Sequence, residues 1–533
     1  MPLAASLPVI AALARSGAVR RAWELFEAGG WAAQTDDPAA LSLKGRLLKD
    51  RARAAVSAEE RSALFGAAAS AYAAAQALAP APYRAINAAT ARLLAGDPAG
   101  AAQGAQAVLD LLDAPTPPAD TPYFLAATRA EALLLLGRAD AAAAAMGLAV
   151  AADPDGWDDR AVTLAQLREI CAALGQGSTW LDPFAPPASL HFAGHMGIAS
   201  GGASEAALAT AIGGLLARTG VGFAWGALAA GADIVIAERL LAEGVELHAV
   251  LPCPPEAFAA QSVSPAGADW LARYHAVLER AASVRVAGSS PAGVHDPLAT
   301  AHAGLLAIGA ARLNARRYSS RAVQLLVEDE AGGGPNTARQ AALWPAGAGP
   351  QERVRITRDA AVEQLLPPEA PDPARRLVLH LAVLVDLPQE IAASTDLAPL
   401  LDPVAQAIAA AGVPPTAVRA GAGRWDITLE DQDLALATVR RLAGLDTPRP
   451  AIGLHLAIGP VLVDRASGAL VGYGAEAALA GTLAAMAPAG TALASDALAV
   501  ALAAGDAASV RTECYHPGEA ETGGAVHLLL FDQ

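Results

Sequence analysis

The hydrophobic period of this chain changes near residue 180, and that change limits the folds open to it. Before it, apolar residues recur at three- and four-residue spacing, as in helices that bury one face. The stretch "SAEERSALFGAAASAYAAAQAL" opens on Ser57 and Glu60, a capping box; Pro80 and Pro82 end it, and Gly96-Asp97-Pro98 parts the next two helices. Beyond the proline-rich joint "LDPFAPPAS", short apolar runs ("SLHFAGHM", "GVGFAWGA", "ELHAVLP", "SVRVAG", "AVQLLVED") alternate with helical stretches over 189–357. Such alternation builds a parallel sheet covered on both faces. A second joint, "LLPPEAPDPARR", leads to "LVLHLAVLVDL" and to "IGLHLAIGPVLVDRASGALVGYG", two strands around a glycine-containing turn, the mark of an α+β domain. Three domains are expected: all-α repeats over 1–182, a Rossmann-like α/β domain over 183–358 and an α+β domain over 377–533.

Composition removes several kinds of function. A net charge of −16 repels a phosphate backbone, so no nucleic-acid partner is expected. Lys44 and Lys49 are the only lysines; the chain therefore has no lysine-bearing phosphate loop and no Schiff-base lysine beyond residue 49. Cys171, Cys253 and Cys514 form no CxxC pair, which leaves neither a zinc site nor a disulfide framework. No run of about eighteen bulky apolar residues without charge is present, so no membrane span is expected. The first apolar run reads as a helix rather than a leader, because its arginines follow it. The expected location is cytoplasmic.

The helical region has the helix–turn–helix spacing of tetratricopeptide-like repeats, whose stacked pairs bury a shared face. "YRAINAATARLLAGD" and "TRAEALLLLGRADAAAAA", with Tyr83, Asn87, Glu131 and Trp157, resemble the TRAFs-binding domain over roughly residues 55–175. That resemblance implies a protein partner or autoregulation through the repeats, not catalysis.

In an open α/β sheet, ligands bind beyond the carboxyl ends of the strands. Three glycine-rich loops fall there. The first carries Gly194, His195, Gly197, Gly201 and Gly202 and leads into a helix expected to be capped by Ser204. The second carries Gly226, Gly231 and Asp233; the third carries Gly332, Gly333 and Gly334, with Thr337 after them. Small residues let backbone N–H groups approach an anion, and a helix N-terminus adds positive potential. Asp233 reads either as the cap of its helix or as a ligand contact, and Glu238 either as a ligand contact or as the partner of an arginine. His295 and His302 could share a helix face, but no third ligand accompanies them, so no metal site is expected. The placing of Gly226, Gly231, Asp233, Glu238 and Pro252 resembles the SLOG superfamily, which implies a nucleotide or nucleotide-derived ligand. Its phosphoribohydrolases carry "PGGxGTxxE", whereas this chain has "GGGPNTARQ" with no glutamate after it. Glycosidic hydrolysis, which needs acid–base carboxylates, is not expected.

The last domain resembles the class III adenylate/guanylate cyclase homology domain, which implies a ferredoxin-like α+β fold and a face that dimerises. "LHLAVLVDLPQEIAAS" puts Asp386 on the family's metal-binding aspartate. Such a cyclase needs two carboxylates holding two divalent ions against a triphosphate. Here Gly423 falls where the second aspartate belongs, with Asp426 three residues on; Ala475, Ala478 and Thr482 replace an aspartate, an asparagine and an arginine, and the domain has no lysine. Asp386 then reads as a remnant, and Mg2+ or Mn2+ would matter only to an active enzyme. The expected function is that of a non-catalytic bacterial signalling protein that senses a nucleotide-like ligand, meets a protein partner through its repeats and has an inactive cyclase-like domain, with homodimerisation through that domain a further expectation. The alternatives are a weak cyclase using Asp386 and Asp426, a nucleotide hydrolase, and a ligand-free scaffold.

Overall fold

The computed structural model describes residues 6–15, 19–114, 120–288, 296–330, 334–358, 375–387, 396–421, 423–463, 468, 470–472, 474–505, 510–519 and 524–531. They form two units, one spanning Met1–Pro186 with Arg317–Ser320 and one spanning Pro187–Arg316 with Arg321–Gln533.

The first unit is all helix: α1 (Leu7–Arg15), α2 (Val19–Ala28), α3 (Pro38–Ala54), α4 (Ala58–Leu78), α5 (Pro82–Leu94), α6 (Pro98–Leu112), α7 (Pro122–Leu135), α8 (Ala139–Ala152) and α9 (Trp157–Ala173). Proline opens α3, α5, α6 and α7, where its missing N–H has no partner to lose. Ser57 caps α4 by accepting the Glu60 N–H at 3.0 Å, as the capping box requires. Alanine lets these helices approach closely, and at Gly45 the Tyr72 ring lies where a Cβ would stand. Beneath the packing lies a buried polar network: Lys49 on α3 donates to Asn87 on α5 and Gln166 on α9, both at 2.7 Å. Glu131 on α7 accepts from Gln166 at 2.5 Å and from Thr90. Burial pushes the Lys49 ammonium down to about 8 and the Glu131 carboxyl up. Asn87 and Glu131, prominent in the sequence, therefore act inside the unit, while Tyr83 stays 45% exposed.

The second unit begins with a parallel sheet: β1 (Ala188–Ala193), β2 (Val221–Gly226), β3 (Glu246–Leu251), β4 (Ser283–Val286), β5 (Ala322–Asp329) and β6 (Gln351–Ile356), in the order β4-β3-β2-β1-β5-β6. Connecting and flanking helices are α10 (Ala203–Thr219), α11 (Ala232–Ala242), α12 (Pro255–Ser262), α13 (Ala268–Arg280), α14 (Pro297–Arg317) and α15 (Pro335–Leu343). All six residues of β1 are buried, as expected of a strand covered on both faces. The chain runs outward from β1 to β4 and then returns to the other side of β1 with β5, so the strand order reverses between β1 and β5.

The unit continues with β7 (Arg375–Leu384), α16 (Ala398–Ala410), β8 (Val418–Gly421), β9 (Arg424–Leu429), α17 (Gln432–Ala443), β10 (Ala451–Val463), β11 (Leu470–Gly472), α18 (Ala475–Met486), β12 (Ala492–Ser495), α19 (Asp496–Ala504), β13 (Val510–Glu519) and β14 (Gly524–Phe531). The order β10-β7-β9-β8 is the β-α-β-β-α-β ferredoxin-like arrangement, extended beyond β10 by β12, β14 and β13. The expected hairpin is present, with Val463 opposite Leu470.

Helix α14 belongs to both sheets. Its Asn314 donates to Ser189 on β1 at 3.0 Å, and Gly304 lies against Gln340 of α15. Toward the C-terminal domain, a Cβ on Gly309 would overlap the Val500 carbonyl of α19. Arg312 donates to the carbonyls of Ala504 and Gly505 at 2.7 and 3.1 Å, a cation on acceptors that the helix end leaves open. At the foot of α14, Asp296 accepts the Leu298 N–H and forms a buried ion pair with Arg375 at 2.7 Å. Gly309→Ala will lower the stability of this unit by about 1–3 kcal/mol through overpacking. Gly66→Ala, on α4 with nothing near its Cβ, will raise that of the first by about 0.5–1 kcal/mol; calorimetric melting of the full chain checks both.

Candidate functional site

The loop after β1 and Gly334, the N-cap of α15, meet where the strand order reverses, the position where open α/β sheets take ligands. His195 joins them. Its Nε2 accepts the Gly334 N–H at 3.0 Å, and its carbonyl accepts the Ala232 N–H at 3.1 Å. A bond accepted at Nε2 requires the neutral ring with its proton on Nδ1. Residue 195 is only 7% exposed, so it holds three loop segments together from within.

Glycine is needed here by geometry. At Gly194 a Cβ would strike the Ala232 side chain. Gly231 has φ +100° and would bring a Cβ to 3.1 Å from the His195 carbonyl, a conformation that side chains disfavour. Gly197 (φ +92°) and Gly201 (φ +73°) turn the first loop, and Gly226 ends β2 flat against the Phe192 ring. Gly332 and Gly333 lie outside the described residues.

The expected cap Ser204 is corrected, and the cap reading of Asp233 falls away. α10 starts at Ala203 with Gly202 as its N-cap, and the Ser204 hydroxyl donates instead to the Thr357 carbonyl at 2.8 Å. α11 has Gly231 as its N-cap, so Asp233 lies one residue inside the helix rather than at its cap. Its Oδ2 accepts the Ala229 N–H at 3.3 Å, tying down the loop after β2. Burial raises its carboxyl to about 7 against the pull of the Ala229 and Gly194 N–H groups. Thr337 is 3% exposed in the first turn of α15.

Glu238 is engaged by Arg273, which reaches it at 2.6 Å and Glu205 at 2.8 Å while stacking on Trp270 at 4.2 Å. Arg273 also donates to the Ser200 hydroxyl at 3.3 Å, and Ser200 bonds Asp269. This cluster pins the first glycine loop to α10, α11 and α13. Asp329, at the end of β5, pairs with Arg358 at 2.6 Å. Below the loops, His191 lies fully buried with Gln340 at 2.9 Å and Gln324 at 3.1 Å, and burial lowers its imidazole to about 4. Arg273 and the His191–Gln324–Gln340 set were not singled out in sequence. His295 lies outside the described residues, and His302 is buried on α14.

In the C-terminal domain Asp386 is exposed, two residues beyond β7. Gly423 sits in the β8–β9 turn with φ +77°, and its carbonyl accepts the Val385 N–H at 2.9 Å. Asp426 pairs in register with Ala382, four residues back from Asp386, about 13 Å along the strand. Its carboxylate is held by Arg424 at 2.7 Å. These two acids therefore do not bracket one ion, and no group of three or more metal-ligating side chains occurs among the described residues. A cleft of about 170 Å³, lined by His380, Arg419, Arg424, Asp426, Thr428 and Ala478, lies beside the start of α18.

Residues 8–92 match the family model described as Tetratricopeptide Repeats-Sensor. No curated protein matches the chain. Among solved structures it is similar to the guanylyl cyclase domain of the RhoGC fusion protein from the aquatic fungus Blastocladiella emersonii, at 10% identity and a TM-score of 0.24 over 30% of this chain and 97% of that one. It is also similar to the adenylyl cyclase CyaB from P. aeruginosa (12%, 0.24, over 30% and 96%) and to an adenylate/guanylate cyclase/hydrolase from Silicibacter pomeroyi (19%, 0.22, over 30% and 98%). No helix among the described residues is long and apolar enough to cross a membrane.

Asp233 gives the site a pH signature. Its folded value of about 7 lies above the usual 3.8, so between about pH 4 and 7 the unfolded chain sheds its proton first and stability falls as pH rises. Asp233→Asn keeps the acceptor for Ala229, and its melting temperature will drop less between pH 4.5 and 7.5 than that of the parent, as scanning calorimetry will show.

Proposed function

We propose that this chain recognises a nucleotide-like ligand at the strand-order reversal of its α/β domain, without turnover, and signals to a protein partner through the helical repeats. The observation that carries the reading is His195 bonded to both Gly334 and Ala232, which ties the starts of α15 and α11 to the loop after β1. Backbone N–H groups and helix N-termini in such a place favour phosphate or a similar anion.

The acids nearby argue for recognition. Glu205 and Glu238 are occupied by Arg273, Asp329 by Arg358 and Glu328 by Arg353, while Asp233 is half protonated near neutral pH. None of these described groups is poised as one of a working acid–base pair of the kind glycosidic cleavage needs. The C-terminal domain serves as a packing and association element rather than a cyclase. Its Asp386 and Asp426 stand four register positions apart, and Ala475, Ala478 and Thr482 supply no charge to a triphosphate. On the helical unit an apolar groove of about 280 Å³, with Leu112, Leu125 and Leu148 in its walls and Arg129 at its side, gives a partner segment a place to dock. Protein contact is the role that the likeness to the TRAFs-binding domain also implies.

Thermal melting of the full chain against a panel of nucleotides and nucleotide sugars tests the reading. A ligand at one hundred times its dissociation constant adds about 2.7 kcal/mol, and Gly231→Val will abolish that shift while the first unit melts unchanged. A panel in which no compound moves the melting point sinks the ligand-sensing reading in favour of a ligand-free scaffold. With ATP or GTP and Mn2+ no cyclic nucleotide will form; product that disappears in Asp386→Ala would instead establish a cyclase.

A further inference from the structure

Beside the close packing of α14 on α19, the α/β domain meets the C-terminal domain through a polar layer. From the α/β side it receives Arg285 of β4 and His302 of α14, which is seven residues before Gly309 and so on the helix face that meets α19; from the other side come His455 of β10, Glu476 of α18, Ser495, Asp496 of α19 and His527 of β14. Arg285 bonds Asp496 at 2.9 Å, and Asp496 also bonds His527 at 3.1 Å. His455 holds Ser495 at 2.8 Å through Nδ1 and Glu476 at 2.6 Å through Nε2. His302 is 2% exposed, and its Nδ1 has no hydrogen-bond partner. The buried pair Arg375–Asp296 lies at the foot of the same helix, and His380 stands opposite His455 on β7.

We propose that this layer is an acid-sensitive seam, in which a proton taken up by His302 loosens the C-terminal domain from α14. The neutral ring fits: the layer's negative charges are already used, Asp496 by Arg285 and His527, Glu476 by His455. A charged ring would stand against Arg285 and His455 with only Glu476 to offset them. Burial, reinforced by Arg285 and His455, therefore lowers the His302 imidazole to about 4 from the usual 6.5. The free chain takes the proton below 6.5, whereas the closed seam does not take it until about 4. Closure is thus fully stable above pH 6.5 and weakens as pH falls, by about tenfold in the opening equilibrium at pH 5.5. His191 and His380, likewise lowered to about 4, are unchanged in the His302 variants and weaken their own surroundings in acid, so the part of the loss that those variants remove is what reports on His302.

Hydrogen exchange of the full-length protein, corrected for intrinsic rates, gives the opening of α19 at pH 7.5 and 5.5. The parent will lose about tenfold protection over α19 at pH 5.5, and His302→Leu will keep most of it. His302→Gln, closer in polarity should the leucine variant misfold, will behave as His302→Leu does. Equal loss in the parent and both variants, or no loss in the parent, would overturn the proposal.

Discussion

The second unit depends on one close helix contact, the seating of α14 on α19 at Gly309. Backbone meets backbone there because position 309 has no side chain, and Arg312 three residues later closes the end of α19 by donating to Ala504 and Gly505. The apolar side of the joint is small, with Ile308, Ala315, Ala322, Trp344 and Ala504 clustered around it. What fixes the pairing is shape and a few directed bonds rather than a broad hydrophobic face. An alanine-rich chain gains from such packing, since small residues let dispersion contacts form between main chains.

The same principle builds the candidate site. Ionisable groups there hold loops: Arg273 on Glu238, Glu205 and Ser200, His195 on Gly334, Asp233 on Ala229. A catalytic centre needs at least one group left to act on a substrate, in a protonation state suited to the task. A recognition site needs a fixed shape, and the bonds that His195 accepts from Gly334 and Ala232 hold these segments in one. Helix α15 starts at this site and packs through Gln340 against Gly304 of α14, so the site and the seam share one connected set of helices.

Much of this was legible in the sequence, for identifiable reasons. The buried strands announce themselves as short apolar runs between glycines, and the loops after β1 and β2 could be placed because glycine and strand ends are local features. Ser57 was readable as a cap because its acceptor role concerns only residue 60. Ser204 is not the cap it was expected to be, and of the two readings of Asp233 the cap falls away, for a related reason: a preceding glycine, Gly202 or Gly231, takes the cap position, and composition alone does not say which of two nearby candidates starts the helix. That Glu238 meets an arginine was one of its two readings, but not that the arginine is Arg273, because Arg273 is 35 residues from Glu238 and 68 from Glu205. The sharing of α14 was likewise hidden, since Gly309 and Val500 meet only through the tertiary fold. The edge strand β6 is half exposed and charged, "QERVRI", and carries little apolar signal. The separation of Asp386 from Asp426 needed the strand register.

The account rests on the α/β and C-terminal domains being one cooperative body joined through α14. Unfolding the full chain in urea while following hydrogen exchange in β1, β5, β7 and β10 separately tests this most directly. The account predicts that these four strands lose protection at a common midpoint, whatever the helical unit does. Two midpoints, with β7 and β10 opening while β1 and β5 stay protected, would contradict it.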